Sequence, residues 1–301
     1  LQDRHGFARE AMAAMFQITI AEPDAVYARQ AAAVALAELE QIENRLSRYV
    51  ETSDIFRINR LATGQVTTVH PETFECLRLA LAVQTATGGA FDVAYASAGS
   101  SRLKKGTGSE LNCEKTSENN VREVPVPLFQ YADGPPIELI EPGCAVRVLA
   151  DGPQLDLGAI GKGFALDRMA ALLAEWEIGA ALLSASTSSV LALAPPPGEQ
   201  GWAIHVGADH APRRFWLAHQ AIGASGTAVR GAHIIDPRTG RPAEGKFRTW
   251  AVAPTAAEAD ALSTAFMVMA DGEVDDYCRR HPGISAHLLH TPTGELRTIT
   301  P

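Results

Sequence analysis

The sequence has no cysteine framework, no long apolar run and no surplus of positive charge, and each absence removes a class of function. Its four cysteines, Cys76, Cys113, Cys144 and Cys278, are scattered through 301 residues. They form no CxxC pair and no Cys/His zinc spacing, so they read as small unpaired thiols rather than a disulfide or zinc scaffold. No stretch reaches the roughly 20 consecutive apolar residues that span a bilayer. Lys plus Arg (26) are outnumbered by Asp plus Glu (35), a formal net charge of -9, which argues against a broad grip on nucleic acid or anionic lipid. The chain opens at Leu1 with neither an initiator Met nor an apolar leader. The expectation is therefore a trimmed periplasmic or cell-envelope protein, or a cytoplasmic one if no export signal exists.

What is present is enough apolar material, 46% of the residues, for a substantial core. Residues 25–46 are Ala-rich and place Leu39, Ile42 and Leu46 on one face behind Asp24, which predicts a long amphipathic helix with an Asp N-cap. Phe16, Ile18 and Ile20 alternate with Gln17 and Thr19 and predict a strand ahead of it. A second helix is expected to open at Pro71 and to stop at the Gly88-Gly89 pair. Short apolar runs at 145–149, 180–183, 190–193, 202–206, 215–218, 250–253 and 286–289 read as strands, and 163–176 and 256–269 as helices. Residues 97–120 are rich in Ser, Gly, Lys and Asn and read as a polar loop or insertion. With no internal repeat and no linker, the expectation is one α+β domain over residues 1–301, of mainly antiparallel strands with packed helices.

Four stretches have chemical content, and each also admits a plain structural reading. In LDLGAIGKGFALD (155–167) a strand end and Asp156 run into Gly158, Gly161 and Gly163 and then into a helix, letting the backbone approach a ligand closely. Lys162 adds a positive charge to a helix N-terminus already suited to anions, which points to a phosphorylated ligand. Neither the P-loop nor the dinucleotide GxGxxG spacing is met, and a tight turn with a surface lysine would look the same. In AAEADALSTAFMVM (256–269) Asp260, Ser263 and Thr264 stand at i, i+3 and i+4 and share one helix face. One carboxylate with neutral oxygens suits Mg²⁺ beside a phosphate; the alternative is an Asp complementing the helix dipole, with hydroxyls bonded to the preceding turn. In GAHIIDPRTG (231–240) a short strand meets an Asp236-Pro237 turn. His233 there suits a base, a ligand-stacking ring or a strand histidine, and Arg230 suits a phosphate partner or a solvated charge. In TGGAFDV (87–93) the glycine pair turns the backbone beside Ala90, Phe91 and Asp92, either to edge a flat ligand ring or as a helix C-cap followed by a core Phe.

The order of these pieces resembles that of the ApbE family, the FAD:protein FMN transferases. Gly88 to Asp92 is similar to the family's Gly-Gly-Ala-Phe-Asp loop, and Asp156 to Ala165 to its Asp-Leu-Gly-Gly-Ile-Ala-Lys-Gly-Tyr-Ala segment. Ala224 to Gly226 with His233 to Gly240 resembles Thr-Ser-Gly followed by His-Ile-Ile-Asp-Pro-x-Thr-Gly, and Ala259 to Ala265 resembles Ala-Asp-x-x-Ser-Thr-Ala. Leu46 to Asn59 is similar to the early Phe-Ser-x-Tyr and Ser-x-Ile-x-x-Leu-Asn stretch. The resemblance implies a T-fold-like domain and FAD contacts at Met12, Tyr49, Ala90, Phe91, Asp92, Asp156, Lys162 and His233 or Ile234. It implies Mg²⁺ held by Asp260, Thr264 and the Ala159 carbonyl, with Ser263 adding to the set. The implied reaction moves FMN from FAD to a Thr or Ser hydroxyl of a target flavoprotein and releases AMP. Such a step needs a base, for which His233 is the candidate, toward the acceptor or for a water, and Asp260 is expected as an ionised metal ligand.

Three positions depart from the pattern: Met12-Ala13-Ala14 for Met-Gly-Thr, residues 184–189 (SASTSS) for a Gly-Gly-Asp turn, and Ala224 for the Thr of Thr-Ser-Gly. Two other readings use the same site. With water as acceptor the chain would be an FAD pyrophosphatase giving FMN and AMP, and without turnover it would be an FAD-binding protein.

Overall fold

Asp24 starts the first helix as its position predicts. Its carboxylate accepts the N–H groups of Val26 and Tyr27, and α1 (Ala25–Leu46) covers the expected residues with Ala28, Ala35, Leu39 and Ile42 among those buried. The strand before it, β2 (Ala14–Ala21), buries Phe16, Ile18 and Ile20. It forms a hairpin with β1 (Arg4–Ala11), a strand the apolar pattern does not signal because charged residues interrupt it. Ala11 pairs with Ala14, so Met12 and Ala13 make a two-residue turn with φ of 51 and 54, the left-handed pair that suits the twist of a hairpin.

The computed structural model describes residues 4–94, 135–150, 152–227 and 234–301. The polar stretch at 97–120, Cys113, Arg230 and His233 lie outside the described residues. After α1 come α2 (Asp54–Ile58), β3 (Val66–Thr68) and α3 (Pro71–Ala86), the last opening at the expected proline and ending before Gly88 and Gly89. β4 (Ile137–Ile140) and β5 (Ala145–Val148) join β3 in a small sheet of order β3-β5-β4. Then follow α4 (Gly161–Glu175), β6 (Ala181–Ala185), β7 (Ser189–Ala192), β8 (Trp202–Ala208), β9 (Ala211–Leu217) and β10 (Gln220–Gly226). The last third holds β11 (Ile235–Asp236), β12 (Arg241–Pro242), β13 (Arg248–Ala253), α5 (Ala256–Val268), α6 (Asp271–Arg280), β14 (Ser285–Leu289) and β15 (Arg297–Ile299).

The main sheet has eight strands in the order β1-β2-β6-β7-β10-β13-β14-β15, and each neighbouring pair is antiparallel. Strand alternation divides its side chains between two apolar layers. Phe16, Leu183, Leu191, Ala221 and Ala251 join the layer shared with α1, α4 and α5. Ile222, Trp250, Val252 and Leu289 face a second layer closed by Trp202, Val206 and Leu217 of the β8–β9 hairpin. This is the expected α+β arrangement of antiparallel strands with packed helices.

Two glycines set how close α5 can come. A Cβ on Gly163 would lie 2.0 Å from the Ala256 carbonyl oxygen, and one on Gly223 would lie 2.1 Å from that of Ala259. Backbone therefore packs on backbone at both places, pressing α5 between the start of α4 and the middle of β10.

Candidate active site

The bend ahead of α4 is held from outside. The Asn59 side chain accepts from Leu155 N–H at 2.8 Å and donates to the Leu155 carbonyl at 3.0 Å, while Asp156 N–H donates to the Val93 carbonyl at 2.7 Å. The Asp156 carboxylate accepts from Gly158 N–H at 2.8 Å, closing an Asx turn that starts the bend on which Ala159 sits. The N-cap of α4 is Ile160, which has no capping side chain.

Asp260 supplies the missing cap. Its Oδ2 accepts from Gly163 N–H at 3.1 Å, and Ser189 donates its hydroxyl to Oδ1 at 2.8 Å. Lys162 lies along the same edge, its ammonium donating to the Gly158 carbonyl at 2.7 Å with Asp260 Oδ2 3.8 Å away. Asp260 is only 3% exposed, so its charge is answered by fixed dipoles and one cation rather than by bulk water. The glycine bend and the helix of Asp260 thus meet, although nothing local in the chain requires it. Ser225 bridges the other two oxygens of that helix face, 2.8 Å from the Ser263 hydroxyl and 3.0 Å from the Thr264 hydroxyl. Ser263 also donates back to the Asp260 carbonyl at 2.8 Å, the local bond of the structural alternative, whereas the Thr264 hydroxyl turns to Ser225. Among the described residues no three His, Cys, Asp or Glu side chains cluster as a metal site. Asp260 is accompanied by hydroxyls and backbone instead.

The remaining candidates fall around this centre unevenly. The Met12 methyl lies 3.3 Å from where a Cβ on Gly161 would be, which puts the β1–β2 turn against the start of α4. Arg48 joins Tyr49 to Asp156: its guanidinium lies over the Tyr49 ring at 4.7 Å, donates to the phenol oxygen at 2.7 Å, and sits 3.4 Å from Asp156 Oδ2. Tyr49 is 77% exposed, an open aromatic face beside the bend. Ala90 and Phe91 are buried in the core, so the Phe91 ring packs there after the helix C-cap, as the structural alternative has it. Asp92 accepts from Ala94 N–H at 2.7 Å; burial pushes its carboxyl above the usual range, and that N–H partly opposes the shift. Ile234 is buried and its carbonyl accepts from Ala243 N–H. The turn after it reaches the glycine pair, with Arg238 Cγ 3.8 Å from where a Cβ on Gly89 would be.

Several residues at the centre take roles that their sequence motifs do not state. Ser189 lies in the 184–189 stretch and Ser225 in the stretch similar to Thr-Ser-Gly, but that their hydroxyls face α5 shows only in the fold. Asp167 is another: its two oxygens accept from Ala256 and Ala257 N–H at 2.8 Å each, capping α5 from α4. Burial raises its pKa to about 6, ahead of the lowering by those two N–H groups.

Known proteins share both the fold and the sequence pattern. An apo flavinyl transferase ApbE from Pseudomonas stutzeri superposes with a TM-score of 0.77 at 21% identity, covering 98% of this chain and 94% of that one. The ApbE protein of Thermotoga maritima gives a TM-score of 0.77 at 26% identity, with 99% and 97% covered. A Treponema pallidum protein named FAD:protein FMN transferase is 29% identical over 163 residues, 47% of this chain and 45% of that relative, so the match spans less than half its length. The sequence model of the ApbE family matches residues 12–288, from the β1–β2 turn to β14 and so across every part of the centre just described: the chain belongs to the ApbE family.

Proposed function

We propose that this chain transfers FMN from FAD to a Thr or Ser hydroxyl of a target flavoprotein, releasing AMP in a Mg²⁺-dependent reaction. The observation that carries the reading is the junction of Gly163 N–H with the Asp260 carboxylate at 3.1 Å, which sets an anion-suited helix start beside a buried carboxylate. The names of the family's matched relatives, FAD:protein FMN transferase among them, point the same way.

The oxygen chemistry of the site suits a hard cation: one buried carboxylate with the Ser263 and Thr264 hydroxyls on the same helix face, and no cluster of three His, Cys, Asp or Glu side chains among the described residues. Asp260, Thr264, Ser263 and the Ala159 carbonyl would hold Mg²⁺. Bound there, the ion would neutralise charge on the FAD diphosphate as its phosphoanhydride breaks. Lys162, at the start of α4, would add positive charge beside the same group. Met12, Tyr49, Ala90, Phe91, Asp92, Asp156, Lys162 and His233 or Ile234 are assigned to FAD. In the transfer, the acceptor hydroxyl oxygen forms a bond to the FMN phosphorus, the bond from that phosphorus to the bridging oxygen breaks, and AMP leaves. The hydroxyl proton passes to His233, the assigned base, because an unactivated Thr is a poor nucleophile.

Incubation with FAD, Mg²⁺ and an acceptor domain bearing a Thr site tests this. Flavinylated acceptor with AMP is the expected result. Free FMN with AMP would make the chain a pyrophosphatase, and intact FAD after complete incubation would make it a binding protein.

A further inference from the structure

We infer that Ser189 is a positioning residue for the metal-binding carboxylate, an inference that rests on the reading of Asp260 as a Mg²⁺ ligand. Ser189 opens β7, is 1% exposed, and pairs with Ala185 on one side and Gly223 on the other. The neighbours facing the helices, Leu191 in the same strand and Leu183 in β6, are apolar. A hydroxyl in that layer must find a partner, and this one donates to Asp260 Oδ1 at 2.8 Å.

The geometry is that of a two-point clamp. Gly163 N–H, fixed by α4, donates to Oδ2, and the Ser189 hydroxyl, fixed by the central sheet, donates to Oδ1. Two donors from separate elements, one on each oxygen, set the plane of the carboxylate and leave each oxygen a further lone pair for a cation. Hydrogen bonds of this kind orient metal ligands and raise affinity. Without the hydroxyl, Oδ1 loses its donor in a nearly water-free layer, and rotation about the last side-chain bond is opposed from one side only. The hydroxyl stands at the end of the serine-rich stretch 184–189, on the first residue of β7.

The test compares Ser189→Thr with Ser189→Val in the full chain, two side chains of one shape that differ in the hydroxyl and that a strand accommodates equally. Mn²⁺ stands in for Mg²⁺, and binding is read from loss of the free-ion EPR signal, with circular dichroism showing that both variants are folded. The expected result is about tenfold weaker Mn²⁺ binding for the Val variant than for the Thr variant, with the Thr variant close to wild type. Ser189→Ala against wild type gives the same comparison without added volume, should the β-branched pair fail to fold. A purely structural hydroxyl would lower the unfolding temperature of the Val or Ala variant and leave its Mn²⁺ affinity equal to that of its hydroxyl-bearing partner; that result overturns the proposal. Wild type that binds no Mn²⁺ removes the Asp260 ligand reading itself and this proposal with it, whereas tight binding by wild type with equal affinity in the variants removes the Ser189 role alone.

Discussion

Asp260 has two jobs at one carboxylate, capping α4 through Gly163 N–H and offering its remaining lone pairs as the candidate metal ligand. Asp260→Asn separates them, since an amide keeps an acceptor for the cap but loses the charge that a divalent ion needs. We expect flavin transfer to fall at least about 100-fold, without recovery on raising Mg²⁺, and folding stability to fall by only about 1 kcal/mol, the scale of a weakened cap. An unchanged rate across a Mg²⁺ titration would remove Asp260 from the ligand set. Asp167 makes the opposite trade. It accepts two backbone N–H groups, yet burial wins and raises its pKa from 3.8 to about 6. Between those values the folded chain holds more protons at this position than the unfolded chain, so its contribution to stability falls as pH rises through the window. That difference is worth on the order of 3 kcal/mol. Urea unfolding from pH 4 to 7 should therefore show wild type losing more stability with rising pH than Asp167→Asn; parallel profiles would show that the carboxyl titrates normally.

At the scale of elements, α4 and α5 cap each other: α5 lends Asp260 to Gly163 N–H, and α4 lends Asp167 to the first two N–H groups of α5. The exchange works only because a glycine allows the two backbones to meet. Gly163→Ala would drive a Cβ to 2.0 Å from the Ala256 carbonyl and Gly223→Ala to 2.1 Å from the Ala259 carbonyl, and backbone cannot swing aside as a side chain can. Each should cost about 3 kcal/mol, whereas Gly272→Ala in α6, with open space around the added methyl, should be neutral or stabilising by about 0.5–1 kcal/mol. Urea midpoints of the three variants check this, and equal midpoints would mean that α5 has room to move. Much of the element order was legible in the sequence, and for a physical reason. α1 and α3 carry local start signals, Asp24 and Pro71, and the apolar runs of the central strands are short and bounded. β1 was not legible because RHGFAREA places charges where an apolar alternation would be counted, and α6 was not because its apolar stripe is only Val274, Tyr277 and Cys278 in a short, otherwise polar segment. The start of α4 at Gly161 rather than 163 follows from a cap supplied by a distant residue.

For the whole molecule, the centre is a meeting of the β1–β2 turn, the bend before α4, β7, β10 and α5, none of which could make it alone. The order of motifs along the chain signalled the candidate residues; their convergence could not be read from local spacing, and Ser189 shows what is lost when a residue's role exists only across the sheet. Such a site should couple binding to the stability of the fold. On the proposed function, FAD with Mg²⁺ would occupy it only when these elements are assembled, so ligand at about 100 times its Kd should stabilise the native state by about 2.7 kcal/mol. For a chain of this size that corresponds to a rise in unfolding temperature of about 4 °C. The acidic surplus of the chain, a net charge of -9, makes the diphosphate of FAD an unwelcome guest unless positive charge is concentrated where it binds, and Lys162 alone has Asp260 3.8 Å away to offset it. Divalent ion and FAD should therefore reinforce one another: the temperature rise with both should exceed the sum of the rises with each, and EDTA should remove most of it. In Asp260→Asn the excess should vanish while any small rise from FAD alone persists. An equal rise with EDTA present would mean that FAD is held without a metal, and the diphosphate would then have to be neutralised by this chain's own cations.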